Sequence, residues 1–283
     1  MLVHKCHERL TEEEKMKIKR FIAAAAACAM ICAAFAGCGS QKAEDVSTSA
    51  AKEDTAAKDA EILVVSFGTS YNDSRDITIG AIENAIQEAY PDYQVKRAFT
   101  SQIIIDKLKE RDGLEIDNVT EALDRAVNDG VKTLVVQPTH LMNGYEYTDL
   151  VDELDTYKDR FDKIAIGDPL LTSDEDFKAV VQAITSETSS YDDGQTAICF
   201  MGHGTEADSN SVYTKLQETL TSEGYENYYI GTVEATPSVD DVLAAVKEKN
   251  YTKVVLEPLM VVAGDHANND MAGDEDDSWK TVF

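Results

Sequence analysis

The sequence predicts an α/β protein of two similar halves that face each other, each a parallel sheet flanked by helices. Three observations predict it. Short apolar runs alternate with helical patterns from Glu61 onward, the runs are continuous, and the pattern occurs twice. The runs are "ILVVSF" (62–67), "TLVVQP" (133–138), "KIAIG" (163–167), "AICFMG" (197–202), "YYIGTV" (228–233) and "VVLEPL" (254–259). They are β-branched and lack the two-residue alternation of half-exposed strands, so they read as strands covered on both faces. Helices between such strands make βαβ units, whose sheets are parallel.

Each element has its own signal. "DNVTEALDRAVNDG" places Val119, Leu123, Ala126 and Val127 on one helical face and stops at Gly130. "TPSVDDVLAAVKEKN" does the same with Val239, Val242, Leu243 and Val246, opening on a Pro-Ser start signal. The two halves then align. "ILVVSFGTSYNDS" (62–74) matches "AICFMGHGTEADS" (197–209) with one extra residue in the second, which puts Gly68-Thr69 on Gly204-Thr205 and Phe67 on His203. "VKTLVVQPTHLMNGYE" matches "YTKVVLEPLMVVAGDH" without gaps, with Pro138 on Pro258, Gly144 on Gly264 and Glu146 on His266. The expected halves are residues 61–190 and 191–283.

Residues 1–38 read as an export signal rather than fold. "MKIKR" (16–20) is basic, Phe21–Ala36 is apolar and too short for a comfortable membrane span, and "FAGCGS" supplies small residues before a cysteine. This resembles a bacterial lipobox, which implies a lipid on Cys38 and tethering to the cell membrane, on the periplasmic or outer face. Met16 is the more natural start. Residues 39–60, rich in Ser, Ala, Lys and acids, read as a flexible linker.

Composition narrows the partners. The chain has 283 residues, is 43% hydrophobic and carries a formal net charge of −27. That charge argues against nucleic acid and suits cations. Cys38 and Cys199 are the cysteines beyond the signal core; with Cys38 lipidated no internal disulfide forms, and Cys199 reads as a strand-core residue. A homo-oligomer stays open.

Past the signal there are three histidines, His140, His203 and His266, each just after an apolar run. Ligands bind at the C-terminal ends of parallel strands. Imidazoles there suit cobalt, nickel, iron or zinc, and Glu234, ending another run, could join His203 and His266. Competing motifs are incomplete. "SFGTS" lacks the glycine pattern and lysine of nucleotide loops, Ser66 and Ser70 lack the G-x-S-x-G elbow, and "GDEDDS" (273–278) lacks the length and closing Glu of a calcium loop.

"ILVVSFGTSY", "RAFTSQIIIDKL", "NGYEY", "MGHG", "VEATPSV" and "PLMVVAGDHANNDMAGDEDDSWK" together resemble the anaerobic sirohydrochlorin cobaltochelatases, of the class II ATP-independent chelatases, from about Glu61 to the end. The resemblance implies an α/β fold of two Rossmann-like halves with a tetrapyrrole in the cleft between them, Co2+ as the metal inserted (Fe2+ or Ni2+ as alternatives), no nucleotide, and a place in cobalamin synthesis. It implies His203, Glu234 and His266 as metal ligands, His203 also as proton acceptor, and Glu146 as a catalytic acid-base group facing the same cleft. His140 receives no role from it. Asp265 and Asp270 are expected to support the ligands rather than bind. Arg75 and Arg97 are expected to offset the carboxylates of sirohydrochlorin. Relatives continue past "SWK" with a further strand and helix, so the second half is expected to be incomplete at its end. The export signal motivates an alternative: a non-catalytic surface lipoprotein that binds haem, another tetrapyrrole or metal for uptake.

Overall fold

The computed structural model describes residues 59–283. The expected signal segment, Cys38 and nearly all of the linker lie outside the described residues. The strands form two parallel sheets, of order β2-β1-β3-β4 and β6-β5-β7. They are β1 (Ala60–Ser66), β2 (Gln94–Phe99), β3 (Thr133–Pro138), β4 (Lys163–Ile166), β5 (Thr196–Gly202), β6 (Tyr228–Thr232) and β7 (Lys253–Pro258). The helices are α1 (Asn72–Ile77), α2 (Ile79–Ala89), α3 (Gln102–Asp112), α4 (Val119–Asn128), α5 (Tyr145–Tyr157), α6 (Asp174–Thr188), α7 (Ser211–Ser222), α8 (Val239–Glu248) and α9 (Trp279–Val282). The fold is therefore the expected α/β pair of Rossmann-like halves.

Helix starts follow from local chemistry. Asn118, Ser173 and Ser238 each accept a hydrogen bond from the third helical N–H of α4, α6 and α8, and the acid there returns one to the cap. Pro237 precedes the Ser238 cap instead of opening the helix. Gly130, at φ 78°, ends the α4 segment.

The central strands explain the core. Along β1, Ile62 and Val64 face one way, Leu63 and Val65 the other. Along β5, Ile198 and Phe200 join the first set, while Ala197, Cys199 and Met201 pack under Val242, Val246 and Trp279. Cys199 is thus a core residue, and burial pushes its thiol up to about 12. The first set is one apolar cluster. It unites Ile62 and Val64 of β1, Val180 and Ile184 of α6, Ile198 and Phe200 of β5, and Tyr213 and Leu216 of α7. The two sheets share a core through α6, each fully buried side chain worth about 2 kcal/mol.

Two strands differ from the expectation. β2, "QVKRAF", lies at a sheet edge and exposes Lys96, so its apolar residues never form a continuous run. β7 is also an edge, and Val254, Val255 and Leu256 are only half-buried.

The repeat holds atom by atom. Gly68 and Gly204 both take positive φ, 99° and 86°. Thr69 Oγ1 accepts from Tyr71 N–H and Thr205 Oγ1 from Ala207 N–H, both at 3.2 Å. After β3 and β7, Gly144 N–H bonds Met142 O and Gly264 N–H bonds Val262 O, both at 3.0 Å. The same two turns therefore cap the same two strands in each half.

Candidate metal centre

His203 follows β5 directly, Glu234 follows β6 by two residues, and His266 ends the loop after β7. Gly204 allows the close approach that this needs. A Cβ there would sit 2.8 Å from Ala235 N, and φ is 86°. Gly204 N–H donates to the buried Tyr213 hydroxyl at 3.2 Å. Strand pairing then runs on past the sheet: Val233 N–H bonds Gly202 O at 3.0 Å, and Glu234 N–H bonds His203 O at 2.9 Å. That backbone pair sets Glu234 beside His203.

His203, Glu234 and His266 each offer one ligand atom, and the three atoms lie within 4.8 Å of one another. His203 Nδ1 lies 3.7 Å from Glu234 Oε2, and His266 Nε2 lies 4.0 Å from Glu234 Oε1. The imidazoles meet edge to face with centroids 4.6 Å apart. Metal–nitrogen and metal–oxygen bonds of about 2.1 Å put ligand atoms about 3–4 Å apart, so roughly an ångström of closure would seat an ion. Each imidazole also has a hydrogen-bond acceptor. His203 Nδ1 lies 2.8 Å from Gly204 O, and His266 Nδ1 lies 2.8 Å from Asp270 Oδ2. A carbonyl and a carboxylate only accept, so Nδ1 carries the hydrogen in both bonds, and an ion held by the His203 atom nearest Glu234 would replace the bond to Gly204 O. Asp270 reaches back because Ala267–Met271 is a single π turn starting at His266. Asp265 accepts from Asn269 at 2.9 Å and from Tyr71 Oη, in the other half, at 3.4 Å. Both acids support the loop, as expected.

Glu146 is not part of this trio. It opens α5, where its Oε2 accepts from Thr100 Oγ1 at 3.1 Å and lies 3.3 Å from His140 Nε2. Sequence reasoning missed both neighbours. Thr100 follows the unrecognised β2. His140 aligns with Met260 in the repeat, which gives no hint of chemistry.

The arginine expectation fails. Arg97 makes two 2.6 Å bonds to Glu83, and Arg75 is buried against Asn72 and Asp76, so neither is free for a substrate carboxylate. Both instead line a cavity of about 540 Å³ that contains none of the trio. The acidic 273–278 segment forms a local turn, with Lys280 on Asp274 at 2.6 Å and Ser278 capping α9. Among the described residues the trio is the one group with metal-binding geometry.

The family model for cobalt chelatase (CbiK) matches residues 60–283. The chain belongs to the cobalt chelatase family. A sirohydrochlorin cobaltochelatase of Salmonella typhimurium is 39% identical over 222 residues, covering 78% of this chain and 83% of that protein. A second, from Nitratidesulfovibrio vulgaris, is 30% identical over 222 residues, covering 78% of each. The matched region of the family begins at the first residue of β1, so it takes in both sheets, the trio and Glu146. Among the described residues no helix is long and apolar enough to cross a membrane.

Proposed function

We propose that this cobalt chelatase family member inserts Co2+ into sirohydrochlorin without a nucleotide. The observation that carries the proposal is the convergence of His203, Glu234 and His266 at the ends of three neighbouring segments of one sheet. The names of the two relatives supply the metal and the macrocycle. Fe2+ and Ni2+ are alternative substrates that the same nitrogen and oxygen donors accept.

Insertion requires a partly dehydrated ion, loss of two pyrrole N–H protons, and transfer of the ion to four ring nitrogens. Three protein ligands leave coordination positions open for the ring, as catalytic metal sites do. Glu234 contributes negative charge, which offsets the loss of water from the ion. His203, about half-exposed, takes a pyrrole proton once the ion has left its ring nitrogen. Formation of four metal–nitrogen bonds drives the reaction, so no phosphoryl donor is needed. We also propose that Cys38 carries a lipid and holds the exported chain at the membrane; Cys38→Ser should release it from the membrane fraction.

The test is anaerobic absorbance of the chain with sirohydrochlorin and Co2+. Many turnovers, lost in His203→Ala, are expected. A spectral change that saturates at one equivalent would favour a tetrapyrrole carrier, and full activity in His203→Ala would remove this residue from the mechanism.

A further inference from the structure

The first half holds a second polar group that the trio does not explain. His140 Nε2 and Thr100 Oγ1 converge on one oxygen of Glu146, Oε2, at 3.3 and 3.1 Å. The other oxygen, Oε1, takes part in neither contact. The two side chains differ in exposure: Glu146 is 43% exposed and His140 only 12%, so the imidazole stands behind the carboxylate.

The hydrogen on His140 can be placed. Its Nδ1 is buried with no hydrogen-bond partner. An N–H there would be a buried donor without an acceptor, which folded proteins avoid more strictly than an unfilled lone pair. The hydrogen therefore sits on Nε2, which donates to Glu146. Burial also fixes the ring. His140 O accepts from Leu170 N–H at 3.0 Å, Leu141 O accepts from Leu171 N–H at 2.8 Å, and Thr139 bonds both Val65 O and Ser66 Oγ at 2.9 Å. The imidazole thus stands on a strand end pinned from both sides.

We propose that His140 is a positioning residue that holds Glu146 as the acceptor of one pyrrole proton, on the half of the molecule opposite His203. This rests on the chelatase reading of the cleft. In the step, a pyrrole N–H bond breaks and an O–H bond forms at Glu146 Oε1. The N–H electron pair stays on the ring nitrogen, where it becomes a lone pair for the metal. His203 takes the other proton, and both protons leave to solvent with product release, so charge and protons balance for a divalent ion. Two acceptors on opposite halves remove two protons without requiring one group to act twice.

The experiment uses the whole chain with sirohydrochlorin and Co2+, comparing His140→Ala, His140→Gln, Glu146→Gln and the double variant His140→Ala/Glu146→Gln. Glu146→Gln should lower kcat about 100-fold. His140→Ala should lower kcat about tenfold with KM changed less than about twofold, because a hydrogen bond to a charged group is lost while ring binding is not. Gln keeps an N–H donor, so His140→Gln should recover to within about threefold of the unaltered chain. The alanine change should cost nothing further once Glu146 is glutamine. Unchanged kcat in His140→Ala overturns the proposal. So does an equal loss in both backgrounds, or a His140→Gln variant no better than alanine, since each makes the imidazole a packing residue. Absence of turnover in the unaltered chain instead sinks the chelatase reading itself, and this proposal with it.

Discussion

Single side chains reveal what each half has solved separately. Glu257 is buried on β7 with one carboxylate oxygen unpartnered, and burial pushes its carboxyl up to about 7. The repeat sets it against Gln137 on β3, a neutral amide whose Nε2 donates to Pro138 O at 2.8 Å. A carboxyl raised above its unfolded value of 4.5 is stabilising only while protonated. That contribution is complete below pH 4.5 and is lost as pH rises through about 7. Glu257→Gln should therefore raise stability at pH 8 by up to about 3 kcal/mol and flatten its dependence between pH 5 and 7, read by urea unfolding across pH. Asp270 acts through His266. Asp270→Ala frees the imidazole to rotate and should weaken Co2+ binding about 10–100-fold in a calorimetric titration, with an unchanged circular dichroism spectrum. These residues also mark what could be read beforehand. The meeting of His203, Glu234 and His266 was legible because each follows a strand and imidazoles are scarce. The bond between His140 and Glu146 was not, since a six-residue separation across a loop specifies no contact.

Elements place those side chains. Gly204 turns the chain from β5 into the position where His203 and Glu234 meet. Gly204→Ala adds a methyl 2.8 Å from Ala235 N at a φ that side chains resist. It should lower stability by at least about 1 kcal/mol and reduce Co2+ affinity, whereas Gly194→Ala, at a similar φ of 73° but with open space around it, should cost stability alone. The strand–helix rhythm was readable wherever a segment is covered on both faces. β1, β3, β4 and β5 announce themselves as apolar runs. β2 did not, because a sheet edge needs only Val95, Ala98 and Phe99 turned inward and tolerates Lys96 and Arg97 between them. Helix starts at Asn118, Ser173 and Ser238 were encoded locally, and Asn118→Ala should cost about 1 kcal/mol in thermal unfolding.

At the scale of the molecule, the repeat suggests two units, yet the apolar cluster joining Val64, Ile184 and Phe200 makes one. Urea should unfold the chain in a single transition by both tyrosine fluorescence and circular dichroism. Two separated transitions would mean that α6 belongs to one half only. Sequence pattern shows which residues are apolar, but it cannot say that the inner faces of two sheets meet the same helix.

The loop that carries His266 has a footing outside its own half. Val262, four residues before it, packs with Ile79, Phe99, Ile105 and Leu108, and Asp265 holds the Tyr71 hydroxyl. The loop is therefore a bridge anchored on both banks. A movement of one bank against the other would be felt at His266 through this span.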